Sequence, residues 1–239
     1  MSSISLDIET APITNAAEFI EEPEAPSNYK DPVKIAAYIA EAKQSAIGRC
    51  ALDFGLLRIV AIAIGGFTPE GEPRITTHLC PTAEAEAEAL RLAWTACEDA
   101  FKQGGMVVGY NLASFDLPAM ITRSWILGVD PAMDEVRRYN DPHVLDLMGV
   151  TCFNNPERRK KLGWWAKRMG WVTGDTHTGA EVPGLVAAGD WDAIAEHVTA
   201  DVRVTMRLHQ MVTNGRVGWK ARAPEALPED LAPDAPVIF

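Results

Sequence analysis

The sequence predicts an α/β fold, in which helices pack on a mixed β-sheet. Strand-like and helical segments alternate through the second half of the chain. A nearly continuous apolar strand at 56–66 is turned by Thr68-Pro69-Glu70-Gly71 into a second strand at 74–79, which predicts a hairpin and a partly antiparallel sheet. A chain of 239 residues, 47% of them hydrophobic, can bury a substantial core.

The elements begin and end at recognisable residues. Asp31 before Pro32 is typical of a helix N-cap, and Asp190 has the same role for the last helix. Ser114 or a neighbour is expected to cap the helix that ends at Gly128. The region 130–190 is predicted to be loops with one short helix. The predicted strands are 4–10, 56–66, 74–79 and 106–110, and the predicted helices are 32–47, 83–103, 114–127, 160–169 and 191–212. We expect one domain over residues 1–214 and a proline-rich tail over 215–239.

Composition narrows the functional classes. A net charge of −11 argues against a protein that coats duplex nucleic acid through a basic surface, although it leaves nucleic acid open as a substrate. The cysteines show no Cys-x-x-Cys spacing, which disfavours structural zinc and suits reduced thiols; they are Cys50, Cys80, Cys97 and Cys152. No apolar run is long enough to span a membrane, and the N-terminus lacks a signal-peptide pattern. We therefore expect a cytoplasmic protein.

The first strand carries two carboxylates. Side chains alternate along a strand, so Asp7 and Glu9 lie side by side on one face. Two acids on a core strand repel each other and resist desolvation unless a cation lies between them, and a hard divalent cation is the simplest candidate. A surface strand with a wet, acidic face would explain the same two residues.

A third carboxylate lies where the strand at 106–110 leads into a helix. Asp116 falls in the first turn of that helix, at a strand end, where ligands collect in α/β sheets. The helix dipole also favours an acid there for structural reasons alone. Asn111, just before it, could be an ordinary turn residue.

The last helix places polar groups on its core-facing stripe. The stripe recurs every three or four residues and comprises Trp191, Ile194, His197, Asp201, Val204, Leu208 and Met211. His197 and Asp201 are therefore adjacent and face the core. They could simply pair with each other. Together with the three earlier carboxylates, however, they form the set that a metal site needs.

These stretches resemble a known family. Residues 6–10, 109–116 and 197–201 resemble the Exo I, Exo II and Exo III motifs of the DEDD (DnaQ-like) 3'-5' exonucleases. The segments 28–32 and 144–148 are similar to those of predicted exonucleases related to the proofreading domain of family B DNA polymerases. The resemblance covers about residues 4–212. It implies a ribonuclease H-like fold, with a mixed central sheet of about five strands flanked by helices.

The resemblance also implies a chemistry. Two Mg²⁺ or Mn²⁺ ions would be held by four carboxylates, which are Asp7, Glu9, Asp116 and Asp201. His197 stands four residues before the last Asp, where this branch of the family usually has Tyr, and we expect it to orient or deprotonate the attacking water. The catalytic set is thus Asp7, Glu9, Asp116, His197 and Asp201. Thr10, Asn111 and Phe115 would bind the terminal nucleotides, although Phe115 is equally plausible as core.

Several functional questions stay open at this point. The expected substrate is single-stranded DNA or a frayed DNA 3' end, with RNA as the alternative. A binding module that keeps the fold without turnover, tethered by its tail to replication or repair proteins, is a further alternative. The run Arg158-Arg159-Lys160-Lys161, followed by Trp164 and Trp165, either contacts phosphates and bases or is an exposed basic turn. Asp146 is expected to be structural or to support the site.

Overall fold

The protein is built on a five-stranded mixed sheet with the order β3-β2-β1-β4-β5. The computed structural model describes residues 3–68, 72–133, 135–136 and 141–214. The strands of this part of the chain are β1 (Ile4–Pro12), β2 (Leu57–Phe67), β3 (Pro73–Leu79), β4 (Val107–Gly109) and β5 (Val144–Asp146). β1 pairs antiparallel with β2 and parallel with β4. β1 is therefore the central strand, and its two neighbours run in opposite directions to each other.

Helices cover both faces of the sheet. The α-helices are α1 (Pro32–Arg49), α2 (Ala83–Lys102), α3 (Asp116–Leu127), α4 (Leu147–Thr151), α5 (Leu162–Arg168), α6 (Val182–Ala188) and α7 (Trp191–Asn214). On one face, Leu6 and Ile8 of β1 pack into a core with residues of α2 and α3. On the other face, Ala11 packs with Ile194 and Val198 of α7. The alternation of β1 thus divides its side chains between two cores.

The ladder between β1 and β2 contains a β-bulge, with Val60 of β2 as the extra residue. Glu9 pairs with Ala61 and Thr10 pairs with Ile59, so the β1–β2 register shifts between Glu9 and Thr10. β3 ends level with Ala61, so it has no residue to pair with Ile59. The Ile59 N–H instead donates to the carboxylate of Glu86 at 2.9 Å. A buried side chain therefore completes the hydrogen bonding of β2 beyond the end of β3.

Much of the predicted fold is confirmed. The hairpin of β2 and β3, the mixed sheet and the long last helix are present, and the Asp190 carboxylate caps α7 by accepting the Ala193 N–H at 3.1 Å. Asp31 likewise caps α1, accepting from the Val33 N–H at 2.9 Å.

Two expectations differ from the structure. No side chain caps α3, whose N-cap position is Phe115 and not Ser114. The region 130–190 contains β5, α4 and α6 besides the expected short helix. These elements are three to seven residues long, too short to show a clear hydrophobic period. The proposed tail at 215–239 lies outside the described residues. Over the described residues, no helix is long and apolar enough to cross a membrane.

Candidate active site

Asp7 and Glu9 point to the same face of the sheet as α7. They alternate with Leu6 and Ile8, which are buried against α2 and α3, and they precede Ala11, which packs under α7. Glu9 is only 7% exposed, and Asp7 is half-buried. Both carboxylates therefore lie between the central strand and the last helix.

Asp116 reaches β1 from the start of α3. β4 pairs with β1 only at Ile4 and Ser5, and the chain then turns away into α3. The Asp116 carboxylate takes over as a partner, accepting the Ile8 N–H at 3.1 Å. Its side chain is buried, with 4% of the residue exposed. The sheet itself thus fixes this third carboxylate beside the strand that carries the first two.

α7 brings the last two groups to the same place. His197 is 5% exposed, and Asp201 lies one helical turn further along the same stripe. The nearest ligand atoms of Glu9, His197 and Asp201 all lie within 4.8 Å of one another. Residues 9, 197 and 201, far apart in sequence, could therefore share one metal ion.

Burial, together with mutual repulsion, raises the pKa values of the carboxylates. Burial, followed by the charges of Asp116, Asp201 and Glu9, raises the pKa of Asp7 well above its ordinary value. Burial is also the main cause for Glu9, whose pKa is raised to about 8 despite the opposing effect of His197. For Asp116, burial outweighs the Ile8 hydrogen bond and raises the pKa to about 7.

Asp201 completes this electrostatic set. Burial raises its pKa, the His197 charge lowers it, and Asp175 raises it further. Four crowded oxygen donors that resist ionisation together are what a pair of hard divalent cations would stabilise. The donor set therefore fits Mg²⁺ or Mn²⁺.

Both nitrogens of the His197 ring face carboxylates. Nδ1 lies 2.8 Å from Oδ2 of Asp175, and Nε2 lies 3.3 Å from Oε1 of Glu9. Burial lowers the pKa of His197, but the charges of Glu9, Asp201 and Asp175 outweigh it and raise the pKa overall. A carboxylate on Nδ1 holds a proton there, which leaves Nε2 to exchange protons in the pocket.

Asp175 is a site residue that sequence reasoning missed. It lies in the loop before α6, and its other carboxylate oxygen accepts the His177 N–H at 2.9 Å. The same loop brings Gly179 to the pocket, where an added Cβ would stand 3.8 Å from Oε2 of Glu9. A single Asp in a Thr- and Gly-rich loop gives no periodic signal, so only the folded chain shows its partner.

We expect Asp175→Asn to lower kcat by about 10–100-fold while leaving divalent-metal binding intact. The amide can no longer hold His197 in one protonation state and orientation, but the four carboxylates are unchanged. The measurement is kcat alongside metal-induced thermal stabilisation, with Asp99→Asn on α2 as the control. Loss of metal stabilisation in Asp175→Asn, or full kcat, would contradict this role.

The predicted substrate residues have distinct environments. The Thr10 hydroxyl donates its one proton to the Ala51 carbonyl at 2.7 Å. This hydroxyl can therefore act towards a ligand only as an acceptor while that bond is kept. Asn111 has a φ of +65°, and its N–H donates to Asp146 at 3.0 Å. Phe115 is partly buried and packs at 5.9 Å between ring centroids against Phe54, which the sequence did not single out. The substrate roles of Thr10, Asn111 and Phe115 stay predictions.

Asp146 supports the turn before Asp116. Its carboxylate accepts the N–H groups of Asn111, Ala113 and Met148, at 3.0, 3.2 and 2.9 Å. These bonds hold Asn111 in its left-handed conformation, which a residue other than glycine seldom adopts. Asp146 thus shapes the loop that delivers Asp116 to β1.

A protein-family model for a predicted 3'-5' exonuclease related to the exonuclease domain of PolB matches residues 52–220. The chain belongs to this family. The match begins after β1, so it includes Asp116, His197 and Asp201 but not Asp7 or Glu9. Comparison with curated proteins found no match.

Two solved structures are similar to the chain. The family B DNA polymerase from the hyperthermophilic archaeon Pyrobaculum calidifontis aligns with 89% of the chain, at 18% identity and a TM-score of 0.53. E. coli Exonuclease I in complex with a dT13 oligonucleotide aligns with 90% of the chain, at 15% identity and a TM-score of 0.43. The chain corresponds to 24% of the polymerase and 42% of Exonuclease I. The predicted fold, a mixed central sheet of about five strands flanked by helices, is confirmed.

Proposed function

We propose that this exonuclease-family protein removes nucleotides from the 3' end of single-stranded or frayed DNA and releases nucleoside 5'-monophosphates. The observation that carries the proposal is the convergence of four acidic side chains from β1, α3 and α7 on one pocket, where burial and mutual repulsion raise their pKa values. Divalent cations that bind the deprotonated carboxylates would offset this repulsion.

The metal ions would be held by Asp7, Glu9, Asp116 and Asp201. When bound, a pair of such ions can activate water and stabilise the leaving 3' oxygen of a phosphodiester. All four donors are carboxylates on rigid elements, and the Asp116 carboxylate keeps its orientation through the Ile8 N–H. The protein thereby presents oxygen ligands at fixed positions.

His197 is the group that would move the proton. Its Nε2 faces the Glu9 carboxylate within the pocket, and Asp175 fixes the ring through Nδ1. We assign it the role of orienting the attacking water and taking its proton at Nε2. Residues 54 and 115 supply an aromatic pair beside the start of α3, where a terminal base can stack.

The test is a Mg²⁺- or Mn²⁺-dependent assay on oligonucleotides labelled at the 5' or the 3' end. We expect a ladder of 5'-labelled products shortened from the 3' end, together with release of nucleoside 5'-monophosphate. DNA is expected to be cut faster than RNA of the same sequence. A preference for RNA would identify the protein as an exoribonuclease. Binding without products would identify it as a nucleic-acid-binding module.

A further inference from the structure

The surface around α5 concentrates positive charge in an acidic protein. Six cations lie within residues 158–168, and that stretch contains no Asp or Glu, although the whole chain has a net charge of −11. They are Arg158, Arg159, Lys160, Lys161, Lys167 and Arg168. The four cations of residues 158–161 are exposed, and none makes an ion pair within the described part of the chain. Their charge is therefore available to a ligand.

This basic segment, residues 158–161, is tied to the strand end beside the pocket. The Tyr110 hydroxyl donates to the backbone carbonyl of Lys160, and the Trp165 Nε1–H donates to the Tyr110 hydroxyl at 3.1 Å. Tyr110 follows β4 directly and packs in the same cluster as Val204 and Leu208 of α7. These anchors place the basic segment next to the sheet face that carries the carboxylates.

An aromatic ring accompanies the charges. Trp164 is 42% exposed, and its ring meets Trp165 edge to face at a centroid distance of 5.0 Å. Nζ of Lys160 lies over the Trp164 ring, 5.7 Å from its centroid. Trp165 is thus pinned by Tyr110, while Trp164 keeps an exposed face next to a cation. An exposed ring beside free cations suits a base and its phosphate.

We infer that the basic segment and Trp164 form a track that binds the substrate strand upstream of its 3' end. The inference rests on the proposed function, because it takes the pocket as the place where the 3' terminus lies. The cations meet phosphates and the indole stacks on a base, and neither contact reads sequence. A single-stranded polynucleotide offers both partners in alternation, which an acidic protein surface does not.

The test compares R159Q/K160Q with R91Q/K102Q, a matched pair of charge removals on α2. Arg91 and Lys102 are also exposed, with side chains 55% and 67% accessible. Binding of 5'-labelled oligo-dT of 4 and 16 nucleotides is measured by fluorescence anisotropy in EDTA, where no strand is cut. We expect R159Q/K160Q to weaken binding of the 16-mer about tenfold, and to reduce the slope of log Kd against log salt by about 1.4.

Trp164→Ala is expected to weaken 16-mer binding by about tenfold as well, without changing the salt slope. In the Mn²⁺ assay, both variants should raise KM for the 16-mer, keep kcat, and leave the 4-mer unchanged. R91Q/K102Q should match the wild type throughout.

Equal 16-mer affinities in R159Q/K160Q and R91Q/K102Q would overturn the inference, whether or not the wild type cuts DNA. A wild type that binds through the track but cuts no strand with any divalent metal would instead contradict the proposed function alone. A loss of affinity that is the same for the 4-mer and the 16-mer would also overturn the track, because it would place the defect at the 3'-end pocket.

Discussion

Asp7→Asn is expected to lower kcat by roughly a thousandfold or more while the metal-free protein becomes more stable. The carboxylate would hold metal in the active protein, so its loss removes the ligand. Without metal, the same carboxylate is destabilising, because burial and the charges of Asp116, Asp201 and Glu9 raise its pKa in the folded chain. A neutral amide of the same shape relieves that repulsion. The measurements are kcat with Mn²⁺ and the thermal midpoint in EDTA at pH 8.

The thermal midpoint in EDTA distinguishes a metal ligand, whose removal stabilises the metal-free protein, from a core residue, whose removal destabilises it. Each kcal/mol of relieved repulsion should raise the midpoint by about 2–4 °C in a chain of this size. Glu196→Gln, which neutralises an exposed carboxylate of α7 beyond its first turn, serves as the control and should change neither quantity. A lower midpoint for Asp7→Asn in EDTA would mean that Asp7 supports the fold, contrary to our account.

Divalent metal should stabilise the wild type by more at pH 8.5 than at pH 6. Glu9 and Asp116 have pKa values of about 8 and about 7 in the folded protein, against ordinary values of 4.5 and 3.8. The unfolded chain loses these protons at lower pH than the folded chain. The stability of the metal-free protein therefore falls as the pH rises from about 4 towards 8. Metal binds the deprotonated carboxylates and reverses that loss.

The measurement is the thermal midpoint with EDTA and with Mn²⁺, across pH 5.5 to 9. At a hundredfold excess of metal over its Kd, binding contributes about 2.7 kcal/mol, which corresponds to about 5–10 °C. Below pH 7, protons compete for the ligands and the shift should shrink. A metal-induced shift that is constant across this range, or larger at pH 6, would show that the ion binds elsewhere.

The sequence predicted those parts of the site that lie on long, regular elements. The alternation of β1 placed Asp7 and Glu9 on one face, and the stripe of α7 placed His197 and Asp201 towards the core. In both cases a strong hydrophobic period constrains the orientation of the polar residues between the apolar ones. The hairpin could be predicted because the turn residues Pro69 and Gly71 follow a long apolar run and precede a second strand-like segment.

The remainder depends on contacts that a linear pattern does not encode. The bulge opposite Glu9 depends on the register between β1 and β2. The Ile59 N–H donates to the carboxylate of Glu86, which lies 27 positions away in the sequence. The contact of Asp175 with His197 joins an irregular loop to a helix 22 positions later. β5 pairs over only three residues, too few to show alternation. Long-range pairing of this kind becomes visible only in the folded chain.

A crystal structure of the wild type soaked with Mn²⁺ tests the central claim most directly, because anomalous scattering locates the ions without reference to activity. Our account predicts two peaks roughly 4 Å apart, each within ligand distance of oxygens from Asp7, Glu9, Asp116 and Asp201. Asp7→Asn crystals should lose at least one of them. Peaks at other residues, or none among these four carboxylates at saturating Mn²⁺, would contradict the account.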